Sequence, residues 1–317
     1  MAEGYRPQGP LDPLAEQICA FMAADPGWQA LTETPPALMR EGMKAAAVMT
    51  GQPEMAQVSD HAVPVPGGEI AVRVYRPVAH PRAIVVWAHG GGFVLGSLDE
   101  IDNFARALAS DSGCTVVSVA YRMAPEHKFP TALLDMEAAL LWALDRRAML
   151  AGEGAAVFAG GDSAGANLAT VATRRLHAGG RGRIAGNLLA YPCTDRPDAP
   201  SLTRFEAPFL GIREISWFLG HYLPDAASGS HPDFAPLLAE GLEVLPPTFI
   251  LTAEHDVITE QAEAYAVRLA GAGVSVETAR HAGMIHGFLT LDPFLPGAGA
   301  AGIRQFSGFV AAHIGEG

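Results

Sequence analysis

Positive charge is what this sequence most lacks. Lys and Arg together number 21 against 34 Asp and Glu, a formal net charge of −13 over 317 residues. Nucleic acids and anionic membrane surfaces both call for basic patches, so neither is an expected partner. No block of like charges occurs, and the acidic excess is expected to be spread over a solvated surface. Cysteine is equally scarce: Cys19, Cys114 and Cys193 are odd in number, far apart and in no C-x-x-C arrangement. That excludes a disulfide framework and a zinc site, and fits reduced thiols in a cytoplasm. No apolar run reaches about 18 residues, so no membrane insertion is expected. Met1-Ala2-Glu3-Gly4-Tyr5-Arg6 lacks a basic segment followed by an apolar core, so no signal peptide is expected. Hydrophobic residues at 49% and charged residues at 17% then leave a globular, cytoplasmic chain with enough material for one large α/β domain or two small ones.

Residues from about 11 to 50 read as helical. Leu14, Ile18, Phe21 and Met22 recur at i, i+4, i+7 and i+8, which predicts one inward face. Pro36 to Met49 repeats the pattern with Leu38, Met39, Met43, Ala46 and Met49, as core packing or as a flexible lid. The period then shortens. Ala62–Pro66 and Glu69–Tyr75 flank Gly67-Gly68 as a β-hairpin. Continuous apolar runs at Ala83–Ala88, Thr115–Val119, Ala155–Ala159, Gly186–Tyr191, Thr248–Ala253 and Val274–Ala279 read as strands. Helices are expected over 101–112, 131–147, 166–176, 260–270 and 299–313. Apolar strands alternating with helices predict a parallel sheet covered on both faces. From about 195 to 237 the rhythm breaks into Pro- and aromatic-rich sequence with a short helix near Glu214–Tyr222, an insertion over the top of the sheet. Pro296–Gly302 reads as a loop.

The chemistry gathers around Gly161-Asp162-Ser163-Ala164-Gly165. A strand precedes this G-x-S-x-G pattern and a helix follows it. Small residues let the two approach closely, which pushes the serine hydroxyl out at the tip as a nucleophile elbow. His89-Gly90-Gly91-Gly92-Phe93 follows another buried strand. Its glycines leave N–H groups unshielded, so Gly91, Gly92 and the N–H of Ala164 would form an oxyanion hole. Asp256 lies just past a strand, on the edge where open parallel sheets bind ligands. Glu254 is the rival acid, nearer the strand and read as structural. His286 lies in a loop before the last helix, and the order Ser163, Asp256, His286 suits a nucleophile, an acid and a base. His281 and His255 compete with it, the first as a surface residue and the second as a loop side chain. Tyr121–Pro130, leading to Asp135, reads as a rigid strand-to-helix connection in which Arg122 is placed to pair with Glu126 and Pro130 opens the helix.

The His89–Phe93 motif, Tyr121–Pro130 with Asp135, the Gly161–Gly165 box and His286-Gly287-Phe288 together resemble the hormone-sensitive-lipase family of esterases. The likeness runs from about residue 60 to the C-terminus. It implies an α/β-hydrolase fold: a mostly parallel eight-stranded sheet flanked by helices, with a helical cap. Residues 1–50 would supply the N-terminal part of the cap, and 51–317 the catalytic domain with the cap insertion at about 195–237. Many relatives carry Asp-Pro-Leu at the acid where this chain has Asp256-Val257-Ile258. The likeness also implies that the family's habit of pairing through the last strand and helix would give a homodimer.

The expected function is a serine carboxylesterase acting without metal or cofactor through a Ser163–His286–Asp256 triad. Residues flanking the motifs would line the pocket: Phe93, Val94 and Leu95, Val257 and Ile258, and Ile285 and Phe288. Phe209, Leu210, Trp217 and Phe218 would roof it. By the family likeness, the substrates would be short- to medium-chain acyl or aryl esters. These residues do not distinguish the leaving group, so an amidase, formamidase or lactonase is the alternative. A non-catalytic small-molecule receptor would have lost a triad member, and all three are present. Ser163 excludes dehalogenase and epoxide-hydrolase chemistry, which would want an acid at the elbow.

Overall fold

Three proline-initiated helices come first: α1 (Pro13–Ala24), α2 (Pro26–Gln29) and α3 (Pro36–Ala46). The structure, a computed structural model, describes residues 5–291, 295 and 297–316; Met1–Gly4, part of the N-terminal reading above, lie outside them. Proline suits a first helical position, whose N–H has no acceptor in the helix. Asp12 and Asp25 cap α1 and α2 by accepting the N–H groups of Leu14 and Gly27. The inward face expected of α1 is corrected here. Leu14 and Phe21 are exposed, while Ala15 and Cys19 are buried. The N–H of Asp12 donates to the Gly283 carbonyl at 2.9 Å. This holds the start of α1 close to the sheet, where Ala15 and Cys19 fit beneath the helix and, of the expected face, Ile18 packs against the same core while Leu14 and Phe21 stay outside.

The sheet elements follow: β1 (Gln57–Val65), β2 (Gly68–Arg76), β3 (Ile84–Ala88), α4 (Asp102–Ser112), β4 (Thr115–Ala120), α5 (Thr131–Asp145), α6 (Arg147–Leu150), β5 (Val157–Asp162), α7 (Ala164–Ala178), β6 (Gly186–Ala190), α8 (Ile212–Tyr222), β7 (Thr248–His255), α9 (Thr259–Gly271), β8 (Val276–Ile285) and α10 (Ala298–His313). The strands form one eight-stranded sheet in the order β1-β2-β4-β3-β5-β6-β7-β8. The β1–β2 and β2–β4 pairs are antiparallel, and all later neighbours are parallel. Side chains alternate across a strand, so each central strand feeds two cores. Ile84, Val86 and Ala88 pack with residues of α5, α7 and α9, whereas Val85 and Trp87 pack with α4 and α10. Among the described residues no helix is long and apolar enough to cross a membrane.

Several boundaries differ from the sequence reading. β5 does not stop at Ala159. It runs on through Gly160 and Gly161, because a Cβ on Gly160 would sit 2.6 Å from the Trp87 ring, and glycine alone lets the strand pass. β8 extends six residues past Ala279 to Ile285 and contains His281. It is an edge strand with an exposed polar face, which removed the apolar signal. Of the loop expected over Pro296–Gly302, Ala298–Gly302 is the start of α10, and Pro296 lies outside the described residues. Arg122 pairs with the fully buried Asp135 at 2.6 Å, and Glu126 pairs with Arg40 instead.

The segment between β6 and β7 is clasped at both ends. Asn167 of α7 donates through Nδ2 to the Cys193 carbonyl at 2.8 Å and to that of Phe234 at 2.7 Å. Gln261 of α9 accepts the N–H groups of Thr194 and Asp195 at 2.6 and 2.8 Å. These amide contacts fix where the segment leaves and rejoins the sheet.

Candidate active site

Ser163 stands between β5 and α7 at φ 53°, ψ −116°, a backbone conformation that costs energy for any residue with a side chain. The crossing around it leaves no space. A Cβ on Gly161 would lie 2.7 Å from the Ala166 nitrogen, and one on Gly165 would lie 2.6 Å from the His89 carbonyl oxygen. The Ser163 N–H donates to the Ala190 carbonyl of β6 at 2.9 Å. Glycine on either side therefore makes the turn possible, and the sheet holds it in place.

Asp256 and His286 are the first residues beyond β7 and β8. Asp256 is fully buried. One of its carboxylate oxygens accepts the Ile258 N–H at 3.0 Å, and the other accepts Nδ1–H of His286 at 2.7 Å. Nε2 of His286 then accepts the Ser163 hydroxyl at 2.9 Å. The ring of Tyr191, a residue in left-handed conformation directly after β6, lies 4.8 Å from that of His286. An imidazole oriented by a buried carboxylate can take a proton from a hydroxyl and hold the resulting charge. The competing residues are not brought together here. Glu254 faces the N-terminal segment, His281 contacts Gln305 through Nε2 at 2.9 Å, and His255 Nε2 has no partner among the described residues.

The glycine loop after β3 faces the same point. Gly91 and Gly92 have φ of +100° and +61°, and a Cβ on Gly92 would collide with the Phe218 ring. Among the described residues no backbone acceptor takes the Gly91 or Gly92 N–H. Ala164 opens α7, so its N–H has no acceptor within the helix. Beneath the loop, His89 stacks on Tyr121 at 4.4 Å and its Nδ1–H donates to the Gly90 carbonyl at 2.7 Å. Burial pushes the His89 imidazole down to about 4, which keeps the ring neutral.

Asp162 is buried and accepts Nε1–H of Trp87 at 3.1 Å and the N–H of Gly90. Burial raises its carboxyl from 3.8 to about 6, against the pull of those donors and of His286. The folded chain thus holds this proton more tightly than the unfolded chain. The stability this contributes is present below pH 3.8 and lost as the pH rises to about 6. Relative to Asp162→Asn, the wild type should lose about 3 kcal/mol across that window. Urea unfolding of both proteins at about pH 4 and about pH 7 checks this, and an unchanged difference would rule it out.

Most of the expected pocket residues lie inside the packed core. Phe93, Val94, Leu95, Val257 and Ile258 belong to the core under α5, α7 and α9, and Ile285 and Phe288 to the opposite one. Leu210 is buried, whereas Phe209, Trp217 and Phe218 are half-buried. Trp28, which the sequence reading missed, stacks on Phe209 at 5.2 Å. Together with Leu202, Phe205 and Arg213, these two rings line a cavity of about 550 Å³. The Phe209 ring edge lies 3.9 Å from where a Cβ on Gly287 would stand, beside His286. A second cavity, about 390 Å³ beside His177 and Ala185, opens at the start of β6, the opposite end of the strands from Ser163. Trp28 had no motif around it. Tyr191 carried a usable signal, as the residue leaving a buried strand at the ligand-binding edge.

The sheet order, the elbow and the residues leaving β7 and β8 define an α/β hydrolase. The chain belongs to that family: a sequence model of the α/β hydrolase fold matches residues 85–290, and the resemblance to the hormone-sensitive-lipase branch is borne out. It is 40% identical over 240 residues to the carboxylesterase NlhH of Mycobacterium tuberculosis, covering 74% of this chain and 75% of that protein. It is 36% identical over 225 residues to an arylesterase of Saccharolobus solfataricus, covering 70% and 73%. The structure of a hyperthermophilic esterase from the archaeon Pyrobaculum calidifontis superposes with a TM-score of 0.90 at 32% identity, covering 96% of this chain and 99% of that one.

Proposed function

We propose that this protein is a serine carboxylesterase whose nucleophile, base and acid are Ser163, His286 and Asp256. The observation that carries the reading is the unbroken hydrogen-bonded chain from Asp256 through His286 to Ser163. Ser163 attacks the ester carbonyl as His286 takes its proton, and Asp256 stabilises the imidazolium. The N–H groups of Gly91, Gly92 and Ala164 receive the oxyanion, each worth about 2.7–4 kcal/mol by comparison with other hydrolases. His286 then protonates the leaving alcohol, and a water activated by the same base releases the acid. The esterase relatives support ester over other acyl substrates.

The helices before β1 and the insertion at 195–237 form the cap in this reading. Arg213 joins them by donating to the Gln29 carbonyl at 3.1 Å, and Phe218 and Phe209 reach down to Gly92 and Gly287. A cavity of about 550 Å³ with aromatic walls suits short- to medium-chain acyl or aryl esters. A cytoplasmic location, where the three cysteines remain free thiols, and a homodimer formed along the β8 edge belong to the same proposal.

Hydrolysis of p-nitrophenyl esters of increasing acyl length tests it. Wild type should cleave the short chains rapidly, with activity falling once the acyl group outgrows the cavity, and His286→Ala should lose turnover at every length. Absence of wild-type hydrolysis at all lengths would transfer the assignment to amides or lactones.

A further inference from the structure

Glu254 is a buried acid that the reaction scheme leaves unused, two residues before Asp256 on β7. Its Oε1 accepts the N–H groups of Gln8 at 2.9 Å and Gly9 at 2.8 Å, and its Oε2 accepts the Gly283 N–H at 2.8 Å. The Gly283 donor, ahead of those of Gly9 and Gln8, holds the carboxyl below its usual range. Three backbone donors converging on one carboxylate require a reason, and the β7–β8 ladder supplies it.

Ala253 pairs with His281, but the next pair is His255 with Ile285. Two steps along β7 therefore match four along β8, and two extra residues are stored in a bulge that contains Gly283 at φ +71°. The bulge deprives Gly283 of its ladder partners. Its N–H goes to Glu254, and its carbonyl accepts the Asp12 N–H at 2.9 Å. Continued without the bulge, the earlier register would set residue 284 beside residue 256, leaving His286 about 6–7 Å further along the strand. With the bulge, His286 falls beside Asp256 at 2.7 Å.

We propose that Glu254 is a positioning residue: by fastening the Gly283 bulge to the N-terminal segment, it sets the register that brings His286 to Asp256. This rests on the Ser163–His286–Asp256 reading. The N-terminal segment is anchored independently of the carboxylate, since the Tyr5 hydroxyl donates to the Glu254 carbonyl at 2.7 Å and the Tyr5 N–H to Glu260 at 3.1 Å. It therefore acts as a strap across the ends of β7 and β8, and the helices that follow it are tied to the catalytic pair through the same bulge.

The test is Glu254→Gln, assayed for kcat, KM and thermal midpoint, with the far-downfield proton NMR signal of the imidazole–carboxylate hydrogen bond as a direct readout. A glutamine retains one acceptor oxygen and turns an NH₂ group toward backbone donors. The expected result is a kcat about 10- to 100-fold lower with KM little changed, and a shifted or broadened downfield proton. Glu254→Asp, which keeps both acceptor oxygens, should recover part of the rate. Should Glu254→Gln fail to fold, Gln8→Pro removes a single donor outside the core and should move the same signal by a smaller amount. A wild-type kcat and an unmoved proton signal in a folded variant overturn the proposal, even if the thermal midpoint falls. Ser163→Ala run alongside separates the two readings. If it is inactive while Glu254→Gln is fully active, the Glu254 proposal alone fails. If it is itself fully active, the triad reading fails and takes this proposal with it.

Discussion

Ser163→Ala should lower kcat about a million-fold, the loss seen when a hydrolase nucleophile is removed from an intact triad. Fold stability should hardly change. Among the described residues the Ser163 hydroxyl has one partner, His286 Nε2, while the elbow is held by the Ser163 N–H on Ala190 and by the glycines on either side. Alanine keeps the Cβ that already tolerates φ 53°. A fast burst of p-nitrophenol from an activated ester should disappear with steady-state turnover, because no acyl-enzyme can form. Turnover within about ten-fold of wild type would place the nucleophile elsewhere.

Asp256→Asn should cost about 10⁴-fold in kcat, and the cause is local hydrogen bonding. Asp256 uses one oxygen for the Ile258 N–H and the other for His286 Nδ1–H. Asparagine has a single acceptor oxygen for the two donors. If that oxygen keeps Ile258, the amide NH₂ faces Nδ1 and the imidazole proton moves to Nε2, where it can no longer accept from Ser163. Glu254 cannot substitute, because its oxygens are committed to Gln8, Gly9 and Gly283. The pH–rate profile and kcat of the variant check this, and a near-normal rate would shift the acid's role to another carboxylate.

What could be read from the sequence was what the chain encodes within short windows. The strand–turn–helix around Ser163, the glycines after Ala88 and the apolar strands each carry a local signature, and the order of motifs identified the fold. Glycine and edge-strand polarity misled where they serve a distant partner. Gly160 continues a strand because of Trp87, and β8 runs on through Arg280 and His281 because one side of it faces solvent. The strap on Glu254 was out of reach for the same reason. Gln8 and Glu254 meet across 246 positions through a backbone N–H, which every non-proline residue possesses and no side-chain pattern announces. The inward face of α1 was misjudged because periodicity identifies an apolar face without saying how close the neighbouring surface lies.

The clasp on the β6–β7 segment has a consequence for how such a protein can diversify. Asn167 follows the elbow by one helical turn, and Gln261 follows Asp256 by five residues. The side chains that grip the two ends of this segment thus belong to the same two helices that begin just after Ser163 and Asp256. The two ends of the segment between Asp195 and Phe234 are held by amide contacts to backbone atoms, while the Phe129 N–H on the Tyr222 carbonyl at 2.9 Å and Arg213 on the Gln29 carbonyl at 3.1 Å tie down its middle. Because Phe218 packs on Gly92 and Phe209 lies beside Gly287, this segment cannot vary independently of the glycine loop and the turn after His286 beneath it.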